Sequence, residues 1–246
     1  MRYFLEVSYH GKGYAGFQVQ HNAHTIQAEV EKALQVVLRE SISLTGSSRT
    51  DTGVHARQNF FHFDSALALG EKQVYNLNAY LPPSISIKSI RPMKEDAHSR
   101  FDAIGRRYGY YLYAYKDPFL TDRAWYYPYP VHLGILNEAA TALLGRHDFT
   151  TFSKRNTQVK TMICELFESR WQYEQGMLVY RVYGNRFLRG MVRGLVATML
   201  QAGREKITVD DLVQIREGRD CTLADFSAPP HGLFLEQVVF PDGYFG

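Results

Sequence analysis

Cysteine is scarce: Cys164 and Cys221 are the only two in 246 residues. At that spacing they make neither a disulfide framework nor a thiolate metal cluster. No apolar run is long enough to span a bilayer, and no leader-like segment opens the chain, so a cytoplasmic protein without a membrane partner is expected. A lysine tail is missing too. Basic residues exceed acidic ones by only three, 28 against 25, which permits an anionic partner without requiring one. The sequence also lacks the G-x-S-x-G elbow, the Walker loop and the H-E-x-x-H helix. What remains is chemistry without a cofactor or metal, or no chemistry at all.

The chain does contain ample core material. It is 45% hydrophobic and 22% charged, a balance that argues for a folded domain or two rather than for disorder. The opening "RYFLEVSYHG" alternates with the period of a strand, and "TIQAEVEKALQVVLRE" switches to helical period behind Thr25, a cap. On that helix Ile26, Val30, Ala33, Leu34 and Val37 share one face. "SISL" and "NFFHF" read as strands, "EKQVYNLNAYL" as a helix stopped by Pro82 and Pro83, and "SISIKSI" as a further strand.

The second half repeats this grammar. "RRYGYYLYAY" is an aromatic strand and "GILNEAATALLG" a short helix, separated by the Pro- and Tyr-rich "KDPFLTDRAWYYPYP". "MICELFESRWQYEQGMLVYRVYG" is a hairpin turning near Gln175 and Gly176. "RFLRGMVRGLVATMLQAG" reads as one amphipathic helix from Arg186 to Gly203. "TVDDLVQIREG" is another, with Asp211 three residues after Thr208 as in a capping box. "GLFLEQVVF" closes the chain as a strand. The expected class is α+β: two halves, 1–104 and 105–246, each a mostly antiparallel sheet carrying helices on one face.

Several motifs have two readings. "GKGYAG" (Gly11 to Gly16) fits G-x-G-x-x-G, but no helix begins within it, so a dinucleotide site fails and a glycine-bearing loop is expected. That also removes a nucleotide cofactor and an oxidoreductase. His21 and His24 read as solvent-facing loop histidines rather than metal ligands. In "RTDTGVHA", Asp51 is either a turn former paired with Arg49 or a reagent; the local sequence leaves both open. Tyr108, Tyr110 and Tyr113 are a packed sheet face or part of a site. Arg186, Arg189 and Arg193, at i, i+3 and i+7, form a stripe on their helix that is either solvated or placed for phosphates.

Taken together, these segments resemble the tRNA pseudouridine synthase A family along nearly the whole chain. The resemblance is carried by "YAGFQVQ", "TIQAEVEKAL", "RTDTGVHARQNFFHF", "FDAIGRRYGYYLY", "HDFTTF", "NRFLRGMVRGLV" and "APPHGLFL". Departures occur at Ser47, Ser48, Thr52 and Ala197. The resemblance implies the pseudouridine synthase fold, with its two halves meeting at a central basic cleft, the first bearing the catalytic Asp and the second the active-site Tyr and Arg. It implies a cofactor-independent isomerase, a homodimer, converting uridine to pseudouridine in the anticodon stem-loop of tRNA at family positions 38–40. Asp51 then becomes the catalytic carboxylate, Arg193 the cation that holds it ionised, and Tyr108 the aromatic partner of the flipped base. Arg49 is expected to displace the base or grip the backbone. Arg106, Arg107, Arg186, Arg189 and Tyr110 are the remaining substrate-binding candidates, and no metal is expected.

Overall fold

The first eight structured residues, with Tyr3, Phe4, Leu5, Val7 and Tyr9 all buried, form the central strand around which the amino-terminal part is built. The computed structural model describes residues 1–155 and 159–245. In chain order the elements begin with β1 (Arg2–Tyr9), α1 (Ile26–Leu38), β2 (Thr45–Gly46), β3 (His55–Asp64), α2 (Glu71–Tyr80) and β4 (Ile85–Met93). They continue with β5 (Gly105–Tyr113), β6 (Trp125–Tyr126), α3 (Leu133–Thr141), β7 (Gly145–Asp148) and β8 (Ile163–Glu174). The remainder comprises β9 (Met177–Gly184), α4 (Met191–Gly203), α5 (Val209–Glu217) and β10 (Leu233–Val239). The class is α+β. No helix among the described residues is long and apolar enough to cross a membrane.

The chain forms two compact units, Met1–Ile104 with Phe234–Gly246, and Gly105–Leu233. Division into 1–104 and 105–246 therefore misassigns the last residues. β10 pairs in parallel with β3 (Phe234↔His55, Leu235↔Ala56), so the closing strand returns to the first unit. A pairing between residues so far apart in sequence leaves no local trace.

In the first unit β1 lies between β3 and β4, antiparallel to both. Helix α1 starts where expected, with the Thr25 hydroxyl accepting from the Ala28 N–H, and buries Ile26, Val30, Ala33, Leu34 and Leu38. Each fully buried Leu or Ile there stabilises by about 1.5–3 kcal/mol. α2 ends at Tyr80, just before Pro82. The strand expected over "SISL" is not formed. Side chains of α1 take the backbone of Leu44 instead: Glu31 accepts its N–H and Gln27 donates to its carbonyl, both at 2.9 Å. Pairing begins only at Thr45, in the two-residue β2 against β3.

The second unit is an antiparallel array in the order β5, β9, β8, β7, with β6 alongside β5. Strands as short as β6 and β7 carry too little periodicity to be read from sequence. The β8–β9 hairpin turns at Gln175 and Gly176, both at positive φ (48° and 80°), the twist that two-residue hairpins favour. α4 is the most buried helix of the unit, and the Trp171 indole N–H points at the Met199 sulfur 3.4 Å away. α5 carries the expected capping box between Thr208 and Asp211.

Candidate functional site

Asp51 stands, half-buried, on a loop of the first unit between two strands. Its turn is closed by backbone: the Val54 N–H donates to the Asp51 carbonyl at 3.1 Å, with Gly53 in the left-handed region at φ 78°. The turn therefore does not require the Asp51 side chain. The residues before it, Ser47, Ser48 and Thr50, are by contrast buried, and Ser48 and Thr50 are held by distant groups, while Thr52 after it is exposed. The Phe17 N–H donates to the Thr50 carbonyl at 3.1 Å, and the Tyr9 hydroxyl meets the Thr50 hydroxyl at 2.8 Å. Asn59, fully buried on β3, donates from Nδ2 to the Ser48 carbonyl at 2.8 Å. Arg49, between these anchored residues, is exposed.

The "GKGYAG" segment is a loop, and its glycines have a use that the motif reading misses. A Cβ at Gly11 would sit 2.0 Å from the Val54 carbonyl oxygen, and one at Gly16 would sit 3.0 Å from the Thr50 carbonyl oxygen. The Gly11 N–H also donates to Nδ1 of buried His55 at 2.9 Å, which leaves that ring's proton on Nε2 when neutral. Close approach, not phosphate binding, explains these two glycines. His24 is an exposed loop residue hydrogen-bonded to Glu29 at 3.0 Å.

In the second unit Tyr108 and Tyr110 lie two residues apart on β5 and thus share a face. Tyr108 is edge-on to Phe187, with centroids 5.1 Å apart. Tyr110 is fully buried, and its hydroxyl donates to the Pro229 carbonyl at 2.7 Å. Burial pushes the Tyr110 phenol well up, opposed by the nearby Arg193 charge, so it remains a neutral donor. Arg193, in the first turn of α4, donates from Nε to the Ala228 carbonyl at 2.6 Å. The "APPHGLFL" stretch therefore anchors both side chains through consecutive carbonyls. Gly232 lets it pass under Tyr110, where a Cβ would meet the ring at 2.7 Å.

The arginine stripe is corrected by the structure. α4 begins at Met191, not near Arg186, so only Arg193 is on the helix. Arg186 and Arg189 precede it in irregular chain. Two features keep that segment from becoming helical. Asn185 is tied to Glu165 by its N–H and by its side-chain oxygen, both at 3.0 Å, and Gly190 adopts φ 74°. The Arg189 carbonyl accepts from the Lys154 N–H at 2.9 Å, so it is used by a loop. On β5, Arg106 shares the Tyr108 face and reaches the Asn185 carbonyl at 3.4 Å. Arg107 points to the opposite face, paired with Glu168 at 2.6 Å and lying 4.1 Å over the Tyr183 ring.

Tyr9, Asn59, Gly11 and Gly16, packed against the loop that carries Asp51, and Ala228 and Pro229, bonded to Arg193 and Tyr110, belong to the candidate site and were missed by sequence reasoning. The glycine spacing and the "APPHG" run are the available signals for some of them. Residues 139–241 match the family model described as tRNA pseudouridine synthase. The chain is 41% identical over 254 residues to a tRNA pseudouridine synthase A of Porphyromonas gingivalis, covering 99% of both chains. It is 38% identical over 246 residues to one from Parabacteroides distasonis and 36% over 245 to one from Azobacteroides pseudotrichonymphae. Those two matches each cover 99% of this chain and 98% of the relative. Identity of this order, running end to end in both directions, means that the chain belongs to the tRNA pseudouridine synthase A family.

Proposed function

We propose that this protein isomerises uridine to pseudouridine in the anticodon stem-loop of tRNA, at positions 38–40, with Asp51 as the reacting carboxylate. The observation that carries the reading is the setting of Asp51: a half-exposed carboxylate on a turn made by backbone, directly after buried residues braced from β1, β3 and the Phe17 loop. Such bracing suits a group that must be presented to a substrate at fixed geometry.

The reaction breaks the N1–C1′ bond, turns the uracil, joins C5 to C1′, and moves the C5 proton to solvent while N1 gains one. No electrons leave the substrate. A carboxylate serves this chemistry as a nucleophile or as the counter-charge to an oxocarbenium-like centre. The base must first leave its stack, at a cost of a few kcal/mol. Tyr108 offers a ring for the extruded base and a hydroxyl for the C5 proton. Arg193 supplies a positive charge for the reaction, and its Nε bond to the Ala228 carbonyl orients the guanidinium. Arg49 is exposed beside Asp51, as a group that displaces the base would be. Arg106, Arg186 and Arg189 are phosphate contacts. Tyr110 is held within the core by its bond to the Pro229 carbonyl. The enzyme works in the cytoplasm as a homodimer, whose two basic surfaces together serve one large anionic substrate.

Asp51→Asn is the direct test, because it keeps the volume and removes the charge. Pseudouridine formation on unmodified tRNA should fall below detection, with tRNA binding and the thermal transition preserved. Substantial turnover by the purified variant overturns the assignment.

A further inference from the structure

We propose that Asn59 and Tyr9 are positioning residues for the reaction, a two-residue clamp that sets the Asp51 loop. This rests on the reading of Asp51 as the reacting group. Asn59 is completely enclosed and Tyr9 nearly so. An amide buried this deeply costs stability unless its hydrogen bonds are made, and here one of them goes directly to the loop and another reaches it through Tyr9. One Nδ2 proton goes to the Ser48 carbonyl at 2.8 Å, three residues before Asp51. The same nitrogen lies 3.3 Å from the Tyr9 oxygen. Since the amide can only donate there, the Tyr9 oxygen accepts. The phenol proton is then available for the Thr50 hydroxyl at 2.8 Å, immediately before Asp51.

The remaining valences are equally ordered. Asn59 Oδ1 accepts from the Phe60 N–H at 2.9 Å, which sets the amide's orientation so that the NH2 group faces the loop. The Phe60 carbonyl accepts from the Ser47 N–H at 2.8 Å. Thus β3 holds Ser47 and Ser48, while β1 reaches Thr50 through Tyr9. Tyr9 is itself held by stacking on Phe17, centroids 5.8 Å apart, and the Phe17 N–H takes the Thr50 carbonyl. The chain from Asn59 through Tyr9 to Thr50 crosses two strands to meet a single loop. Polar groups placed merely to satisfy one another would not need to reach the two residues, Ser48 and Thr50, that lead into the carboxylate.

The test uses Tyr9→Phe and Asn59→Asp, in the intact protein, with single-turnover kinetics at saturating tRNA. Tyr9→Phe keeps the ring on Phe17 and removes the hydroxyl. Asn59→Asp keeps the shape and replaces the donors facing Ser48 and Tyr9 with acceptors. Each should lower the saturated rate by roughly 10- to 100-fold, as small misplacements of a reacting group do, with the tRNA Kd unchanged. Tyr3→Phe is the control, since its buried-ring hydroxyl donates to the Leu67 carbonyl at 2.9 Å, away from the loop. It should cost comparable thermal stability without altering the rate. Should Asn59→Asp fail to fold, Tyr9→Phe alone decides. If Tyr9→Phe loses stability like Tyr3→Phe and reacts at the wild-type rate, the clamp is structural only and the proposal is overturned. An inactive Asp51→Asn beside such a result leaves the reading of Asp51 standing; an active Asp51→Asn removes both.

Discussion

The Gly11 α-carbon and the Val54 carbonyl approach so closely that a Cβ on Gly11 would lie 2.0 Å from the oxygen. Backbone meets backbone here, so no side-chain rotation can relieve the clash. Gly11→Ala should destabilise by about 1–3 kcal/mol and displace the end of the turn that carries Asp51, lowering the saturated rate. Gly13→Ala makes the comparison, since its Cβ meets nothing within 4 Å although φ is 86°. It should cost about 1–2 kcal/mol through backbone strain alone and leave the rate unchanged. Equal rates in the two variants would show that the Gly11 contact does not set the loop.

Tyr108 and Tyr110 share a face of β5 but should respond differently to loss of the hydroxyl. Tyr110→Phe strands the Pro229 carbonyl and should lower stability by about 1–2 kcal/mol. Tyr108→Phe keeps the ring for the base, so tRNA binding should persist while product formation slows severely. Thermal melts and single-turnover rates on both variants separate the two roles. A Tyr108→Phe enzyme of normal rate would return that residue to packing.

Arg193→Met should reduce the saturated rate more than the affinity for tRNA. Arg193→Lys restores a charge but lacks the Nε fork that reaches Ala228, and should recover only part of the rate. Weaker binding with an unchanged saturated rate would instead make Arg193 a phosphate contact.

Salt dependence sorts the remaining arginines. Each phosphate contact contributes about −0.7 to −0.9 to the log–log slope of affinity against salt. Arg186→Ala and Arg189→Ala should each flatten it. Arg107→Ala should not, since that side chain is paired with Glu168 on the face opposite Tyr108; its loss should cost at most about 1 kcal/mol of stability. A flattened slope in Arg107→Ala would place RNA on that face.

His62 should make the stability of the first unit acid-sensitive. Burial first, then the His98 ring with its centroid 4.4 Å away, and then Arg2 push its imidazole down to about 4, against opposing pulls from Asp64 and Asp102. The folded value lies below the free one of 6.5. The stability His62 contributes is therefore complete above pH 6.5 and lost as pH falls through about 4. His62→Asn should flatten the melting temperature over that window. Parallel profiles for variant and wild type would show that the loss arises elsewhere.

Features governed by near neighbours in the chain were legible without coordinates. The Thr25 and Thr208 caps, the Gln175-Gly176 hairpin and the alternation of β1 depend on residues a few positions apart, where backbone dihedrals and side-chain spacing decide the outcome. Resemblance, not periodicity, singled out Asp51. The tertiary structure decided the rest, because it depends on which distant groups capture a backbone amide or carbonyl. Glu31 and Gln27 take Leu44 and prevent a strand at "SISL". Asn185 and Gly190 delay α4, so an apparent helical stripe of three arginines reduces to Arg193. β10 returns to β3 across most of the chain, and Gly11 and Asn59 acquire their roles only when Val54 and Ser48 arrive beside them. A one-dimensional pattern records what a residue can offer; the partner that satisfies it is chosen by packing.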